Sequence, residues 1–289
     1  MELHETPGAF GGLPEAPDLA SARFAVLPIP YEGTVSWLGG TGQGPDAILA
    51  ASANMELYDI ETGSEPWKHG IVTMAPVLPA PTPAANYEKI LAAAAPLYAM
   101  GKAVVGLGGE HSVTAGLVEA ARRAHPGLTV LQLDAHADTR ESYGGTPYSH
   151  ASVMARVREK CEIVQVGIRS MDAAEVGGIR RSRIHYAHEI GDIGALAESV
   201  LERLGDRVYV TVDLDVLDPS EMPSTGTPEP GGLRYRQVVE LLREVCRWRT
   251  VVGFDVVELM PSGSNRAPDF LAARLAYQIM AYMTAFADE

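Results

Sequence analysis

Short apolar runs alternate with longer segments whose apolar residues recur at helical spacing along the whole chain. The runs, rich in Val, Ile and Leu, predict eight strands, at 23–29, 70–75, 103–107, 128–133, 162–167, 183–187, 207–212 and 250–257. The segments between and after them predict helices at 45–55, 87–100, 112–124, 150–159, 172–181, 193–204, 235–247 and 270–286. Strands apolar on both faces and alternating with helices predict an α/β fold with a mainly parallel sheet. The pattern fits an open three-layer sheet or an eight-fold barrel, and both place the active site at the carboxyl ends of the strands.

The chain is expected to form a single domain over residues 1–289, since no linker with a shift in composition divides it. Residues 1–20, acidic and rich in Gly and Pro at their start, predict an extended N-terminal arm. That start lacks a basic segment followed by an apolar one, so we expect no secretory signal. The apolar stretch 90–107 is too interrupted to span a membrane. A cytoplasmic location is the resulting expectation.

Composition narrows the classes of partner. A hydrophobic content of 46%, with 29 Gly and 20 Pro, is typical of a globular protein. The net charge of −14 argues against nucleic-acid and anionic-membrane binding and permits a cationic substrate. Cys161 and Cys246 have no spacing typical of a disulfide framework or a zinc site, so we expect buried thiols. The glycine-rich segment 39–44 lacks the frame of a nucleotide-binding loop and predicts a structural loop.

Metal-capable side chains follow three of the predicted strands. They are His111 after 103–107, Asp134, His136 and Asp138 after 128–133, and Asp213 and Asp215 after 207–212. A single Asp at a strand end is more often a turn former or a helix cap, and a lone His is usually structural. Three such groups after one buried strand would repel each other or remain unpaired, which favours a metal site. Asp218, beyond this pattern and next to Pro219, is interpreted as a turn residue.

The number of candidate ligands indicates two metal ions. Four carboxylates and two imidazoles exceed the three protein ligands usual for a catalytic zinc. Four aspartate charges would balance two divalent cations, and oxygen-rich ligation without thiolate favours Mn²⁺. Two such ions can share and acidify a water and so hold a hydroxide as a nucleophile.

Three sequence motifs closely resemble the signatures of the ureohydrolases, the arginase and agmatinase enzymes. They are Gly-Gly-Glu-His-Ser at 108–112, Asp-Ala-His-Ala-Asp at 134–138 and Asp-Leu-Asp-Val-Leu-Asp-Pro-Ser at 213–220. The likeness extends over nearly the whole chain, from residues 33–36 through 226–232 to 253–258. The loop at 226–232, Gly-Thr-Pro-Glu-Pro-Gly-Gly, looks most like the agmatinase branch. The resemblance implies a three-layer α/β/α, arginase-like fold, two Mn²⁺ per chain and a homotrimer or homohexamer.

The resemblance also implies roles for individual residues. His111, Asp134, Asp138 and Asp213 would hold one ion, and Asp134, His136, Asp213 and Asp215 the other, with Asp134 and Asp213 bridging. Three residues would be catalytic: Asp138 as proton carrier, His150 as the proton-shuttling loop histidine, and Glu258 as the carboxylate that receives the guanidinium group. The alternatives are that His150 caps its helix and that Glu258 is a surface charge.

The expected reaction is attack of a metal-bridging hydroxide on a guanidinium carbon, giving urea and an amine. Agmatine, yielding putrescine, is the favoured substrate, because the loop 139–149 lacks the Asn-containing segment with which arginases hold the amino-acid end. Arg140 could instead bind an acidic tail or serve as a structural ion-pair partner, and the segment 260–266 departs from the agmatinase pattern. Guanidinobutyrate, guanidinopropionate, arginine and formimidoylglutamate therefore remain alternatives. A non-catalytic metal-binding protein is a remote one, since no ligand is missing.

Overall fold

The fold is built on one sheet. The structure, a computed structural model, describes residues 8–13 and 17–287. Within these ranges the strands are β1 (Phe24–Ile29), β2 (Ile71–Thr73), β3 (Ala103–Gly108), β4 (Thr129–Leu133), β5 (Glu162–Ile168), β6 (Ile184–Tyr186), β7 (Arg207–Asp213) and β8 (Thr250–Val257). Each predicted strand is present, with bounds shifted by at most two residues.

The sheet is parallel and open. Its strand order is β2-β1-β3-β8-β7-β4-β5-β6, and each neighbouring pair is parallel. The two short strands at the ends, β2 and β6, do not pair with each other among the described residues, so the sheet is not a closed barrel. The carboxyl ends of the four central strands, β3, β8, β7 and β4, therefore lie side by side at one edge.

Helices cover both faces of the sheet. They are α1 (Gly44–Ser52), α2 (Pro83–Ala99), α3 (Thr114–Ala124), α4 (Val153–Arg158), α5 (Ile193–Leu201), α6 (Tyr235–Trp248) and α7 (Ala267–Ala285). Helices α1, α5, α6 and α7 pack together on one face, and α2, α3 and α4 on the other. In β1, Phe24 and Val26 join the core on the first face, while Ala25 and Leu27 join the core on the second, as side-chain alternation requires. The predicted three-layer α/β/α architecture is confirmed.

Local differences from the predicted elements have physical reasons. The helix predicted at 172–181 is wrong in type: the segment forms a 3₁₀-helix, Ala173–Gly178, that ends in two glycines of low helix propensity. Helix α2 begins earlier than predicted, because the Thr82 hydroxyl accepts a hydrogen bond from the backbone N–H of Ala85. Asp218 is a turn residue as predicted, since its carboxylate accepts from the backbone N–H groups of Ser220 and Gly231.

The predicted N-terminal arm, 1–20, is described only in part, because residues 1–7 and 14–16 lie outside the described ranges. Phe10 is buried against the first helical face, with its ring 6.4 Å from that of Tyr277, and its N–H donates to the Thr73 hydroxyl. This part of the arm packs on the chain itself. Both cysteines, Cys161 and Cys246, are buried as expected. In the described part of the chain, every helix is too short or too polar to cross a membrane.

Candidate metal centre and catalytic pocket

The predicted site residues converge at the carboxyl edge of the sheet. His111 follows β3, Asp134 and His136 follow β4, Asp213 ends β7, and Glu258 follows β8. Because these four strands are neighbours in the centre of the sheet, residues far apart in sequence meet at one point. The structure thus brings together all of the metal-capable groups expected from the sequence.

The first group of possible metal ligands surrounds His111. Its Nδ1 lies 3.1 Å from Oδ2 of Asp134, 3.0 Å from Oδ2 of Asp138 and 3.5 Å from Oδ2 of Asp213. The His111 and Asp134 side chains are almost completely buried, so little water can solvate these charges. Buried charges of this kind are normally paired with one another or coordinated to a metal ion.

The second group surrounds His136. Its Nδ1 lies 2.9 Å from Oδ2 of Asp215 and 3.7 Å from Oδ1 of Asp134. Two clusters therefore have the chemistry and spacing to hold a metal ion, namely His111, Asp134 and Asp213, and Asp134, His136 and Asp215, with the donor atoms of each within 4.8 Å of one another. Asp134 belongs to both clusters, which is the arrangement that two ions sharing a carboxylate require.

The electrostatics of the cluster favour bound cations. Burial and then the nearby charge of Asp134 raise the pKa of the Asp138 carboxyl to about 6. Burial, followed by the charges of Asp215 and Asp134, raises the pKa of Asp213 well above its usual value. Burial opposes protonation of His136, but the carboxylates of Asp215 and Asp134 outweigh it and raise the pKa of His136 to about 12. So many carboxylates in one buried space are stable as anions only beside positive charge.

A hydroxyl network fixes the orientation of His111. The Thr211 hydroxyl donates to Oδ1 of Asp255 at 2.6 Å, and its oxygen lies 2.9 Å from Nε2 of His111. Asp255 is completely buried and also accepts from the hydroxyls of Tyr209 and Thr114. Because the Thr211 proton is directed to Asp255, its oxygen must accept from the Nε2–H of His111. With Nε2 protonated, Nδ1, which faces the carboxylate cluster, is the nitrogen left to bind a metal ion.

The backbone is unusual at two of the predicted catalytic residues. Among the described residues other than glycine, only Asp138 (φ 53°) and Glu258 (φ 65°) have positive φ. Such conformations cost on the order of 1–3 kcal/mol and occur preferentially at functional sites. Their presence here therefore supports a functional role for both residues.

Glu258 is part of the pocket wall. Its Oε1 accepts a hydrogen bond from the backbone N–H of His111 at 2.7 Å, and its own N–H donates to the carbonyl of Gly109. Burial raises the pKa of Glu258 to about 8. The carboxylate is therefore held beside the metal-capable cluster, which contradicts the alternative of an ordinary surface charge.

His150 lines the same pocket as the carboxylate cluster. Its Nδ1 is 3.0 Å from the Thr34 hydroxyl oxygen, its Nε2 is 2.8 Å from that of Ser36, and its ring packs edge-on against Tyr143. Burial lowers the pKa of His150 to about 4, so the imidazole is neutral at neutral pH. The side chain contacts the loop at 33–36 instead of capping its own helix. Sequence reasoning gave no role to Thr34 and Ser36, although both lie in the segment of family likeness.

These residues line a cavity of about 430 Å³, within the size range of small-molecule sites. Arg140 also lines this cavity. Its Nη2 lies 3.7 Å from Oδ2 of Asp172 and its Nε lies 3.6 Å from Oε2 of Glu175. The guanidinium group lies over the ring of Tyr143. The structure thus gives Arg140 the ion-pair role that the sequence left open. With Arg140 neutralised, carboxylates dominate the charge of the pocket.

Comparisons with known proteins agree with this geometry. The model of the arginase family matches residues 22–282. The N(1)-aminopropylagmatine ureohydrolases of Thermus thermophilus and Synechocystis are 44% and 38% identical, covering 89% and 91% of this chain and 88% and 90% of the relatives. The crystal structure of agmatine ureohydrolase from Thermoplasma volcanium superposes with a TM-score of 0.88 at 28% identity, covering 98% of this chain and 96% of that one. The family model matches nearly the whole chain, and the candidate ligands lie together at the carboxyl edge of the sheet. The chain is therefore a ureohydrolase of the arginase family.

Proposed function

We propose that the chain is a binuclear manganese ureohydrolase whose substrate is a guanidino compound with a cationic tail, N(1)-aminopropylagmatine first and agmatine second. The observation that carries the proposal is the pair of ligand clusters sharing Asp134, adjacent to Glu258 in a carboxylate-rich cavity. The products would be urea and the corresponding amine.

The donor set fits the proposed metal. It combines carboxylate oxygens with imidazole nitrogens, and the ligand clusters contain no thiolate. This composition suits a hard divalent ion such as Mn²⁺. The residues that would hold the ions are His111, Asp134, His136, Asp138, Asp213 and Asp215. When bound, a pair of such ions acidifies water and so supplies a nucleophile at neutral pH.

Glu258 would bind and orient the guanidinium group. Its Oε1 is engaged by the backbone N–H of His111, and its Oε2 is directed towards Gly226 at the pocket wall. A planar guanidinium pairs well with a fixed carboxylate, and its positive charge favours the ionised form of Glu258 over the protonated form that burial alone favours. The ion pair is strengthened because the surroundings are largely shielded from water. Glu258 therefore places the guanidinium carbon beside the carboxylate cluster and restricts its motion.

Asp138 and His150 would move protons. Asp138 lies in the carboxylate cluster, with its Oδ2 3.0 Å from Nδ1 of His111, so its carboxylate can accept a proton from the attacking water and return it to the departing amine. Thr34 donates its hydroxyl proton to Glu110, so its oxygen accepts from the Nδ1–H of His150. Nε2 of the neutral imidazole then carries no proton. It lies 2.8 Å from the Ser36 hydroxyl, whose proton can turn from the Tyr143 hydroxyl to Nε2, so His150 can pass a proton between the pocket and solvent.

The charge of the pocket supports a cationic tail. Glu32, Asp172, Glu175 and Glu229 line the cavity together with the cluster, and Arg140 is paired with two of these carboxylates. An acidic tail, as in guanidinobutyrate or formimidoylglutamate, would be repelled by this surface. The names of the Thermus and Synechocystis relatives favour N(1)-aminopropylagmatine over agmatine, the substrate that the sequence favoured.

The test is urea release by the Mn²⁺-loaded protein from a panel containing N(1)-aminopropylagmatine, agmatine, arginine, guanidinobutyrate and guanidinopropionate, with formamide release from formimidoylglutamate measured in parallel. We expect the highest kcat/KM for the first compound, together with two metal ions per chain by elemental analysis. Release of neither urea nor formamide from any member would refute the enzymatic proposal. Preference for an acidic compound would refute the assignment of the tail.

A further inference from the structure

The cavity has an outer rim that the proposed chemistry does not use. We define the rim as Trp37, Leu38 and Glu229, which line the cavity at its solvent side. Trp37 is 69% exposed and Leu38 37% exposed. These two neighbouring residues present an apolar surface in the lining of a polar cavity, where a bound ligand can contact it.

The backbone of Glu229 is fixed relative to the metal-capable cluster. One guanidinium nitrogen of Arg169, Nη2, donates to the carbonyl of Asp215 at 2.6 Å and to that of Glu229 at 2.7 Å. Nε of Arg169 also donates to the carbonyl of Pro230 at 3.1 Å. Prolines on both sides of Glu229, at 228 and 230, restrict its backbone further. The Glu229 side chain therefore projects from a rigid support beside a predicted metal ligand.

The other part of the rim, Trp37 and Leu38, has its backbone close to Glu258, the proposed binding group for the guanidinium. A Cβ added at Gly226 would lie 3.1 Å from the carbonyl oxygen of Leu38 and 4.0 Å from Oε2 of Glu258. The backbone next to Trp37 thus packs against the same glycine that borders Glu258. Because this backbone lies close to Glu258, a substrate whose guanidinium group contacts Glu258 can extend its tail along the part of the cavity that Trp37 lines.

Glu229 differs from the other carboxylates of the cavity in its partners. Asp172 and Glu175 face Arg140, and Glu32 accepts hydrogen bonds from the loop N–H groups of Gly40 and Gly42. For the Glu229 carboxylate, the described residues provide neither an ion-pair partner nor a hydrogen-bond donor. The cavity thus has a carboxylate on a rigid support and an exposed indole in its lining, the two kinds of group that bind an alkylammonium ion.

We propose that the outer rim binds a second cationic group of the substrate, through Glu229 and the face of Trp37, and so selects guanidino polyamines over agmatine. The inference rests on the proposed function and names the residues that set its substrate preference. The aminopropyl extension places an additional ammonium beyond the butylamine chain, on the solvent side where the rim lies.

The experiment measures kcat/KM for N(1)-aminopropylagmatine and for agmatine with the Mn²⁺-loaded protein and its variants. In Glu229→Gln, we expect the ratio of the two values to fall by about tenfold, the size of one charge-assisted hydrogen bond. Trp37→Ala should also lower the ratio, and Trp37→Phe should restore part of it because an aromatic face is kept.

Two matched controls test whether the effects belong to the rim. Trp248, 62% exposed, lies just before β8 at the opposite edge of the sheet, and Glu88 is an exposed carboxylate on α2. Trp248→Ala and Glu88→Gln should leave the ratio and both activities unchanged.

The outcomes separate the two proposals. If the wild-type protein releases urea from both compounds but the ratio is the same in Glu229→Gln and Trp37→Ala, the rim inference is overturned while the proposed function stands. If the wild-type protein prefers agmatine, the inference is likewise overturned. If the wild-type protein releases urea from neither compound and from no other member of the panel, the proposed function itself fails.

Discussion

Replacing Thr211 with valine tests whether the hydroxyl network orients His111. Valine has nearly the same shape as threonine, so the change replaces one buried hydroxyl by a methyl group without opening a cavity. It removes the donor to Asp255 and the acceptor for the Nε2–H of His111. Asp255 would keep the hydroxyls of Tyr209 and Thr114 as donors, whereas Nε2 of His111 would lose its buried partner.

The magnitude follows from these contacts. A hydrogen bond to a charged group contributes about 1.5–3 kcal/mol, and a buried donor left without a partner costs about 1–3 kcal/mol. Because the remaining donors of Asp255 compensate in part, we expect Thr211→Val to lower the unfolding free energy by about 3 kcal/mol. Loss of a partner that orients a metal-ligating histidine typically weakens metal binding by about 10–100-fold.

The assay combines urea denaturation of the metal-free protein with calorimetric titration of Mn²⁺. Thr211→Ser keeps the hydroxyl and should retain Mn²⁺ affinity close to that of the wild type. Thr129→Val is a matched control: this buried threonine begins β4 at the far edge of the sheet, and its hydroxyl accepts from the N–H of Gly205. That variant should lose some stability without a change in Mn²⁺ affinity. If Thr211→Val binds Mn²⁺ as tightly as the wild type, the network does not set the orientation of His111.

Three further predictions concern the site. Asp134→Ala should lose both metal ions together, because Asp134 belongs to both ligand clusters; elemental analysis showing one ion per chain would contradict a shared ligand. Glu258→Gln should keep both ions but lower kcat/KM for urea release by at least about tenfold, since it removes the charge that pairs with the guanidinium; loss of metal would mean that Glu258 is a ligand instead. His150 has its pKa lowered from 6.5 to about 4 by burial, so the unfolded chain binds more protons between these pH values and the folded state loses stability as pH falls through them. A His150→Asn variant should therefore show a smaller drop in unfolding free energy from pH 6.5 to 4 than the wild type in urea denaturation, and an equal drop would contradict the assigned burial effect.

The strands and the ligands at their ends were predictable because each depends on a local pattern. β8, predicted at 250–257, is found at Thr250–Val257, since an apolar run bounded by Arg249 and Glu258 leaves little freedom in its limits. Asp134 and His136 follow β4 directly, so predicting the strand also predicts where these side chains lie. The choice between an open sheet and a barrel needed the family resemblance, because it depends on whether the outer strands meet.

The residues that support the ligands depend on pairing between distant segments. Thr211 and Asp255 are direct partners in the parallel register of β7 and β8, more than forty positions apart in sequence. Each by itself is an unremarkable polar residue within an apolar strand. Only the register shows that they are neighbours, which is why sequence reasoning assigned neither a role. The contacts of Thr34 and Ser36 with His150 likewise join a loop after β1 to the 3₁₀-helix that precedes α4.

The positive φ of Asp138 and Glu258 bears on how such an enzyme could be stabilised. Glycine adopts this backbone conformation with less strain than either acidic residue. Variants selected only for resistance to heat would therefore tend to replace these two residues and lose the proposed catalysis. Stability and activity oppose each other at these two positions, so engineering for thermostability should hold both fixed and seek its gains elsewhere.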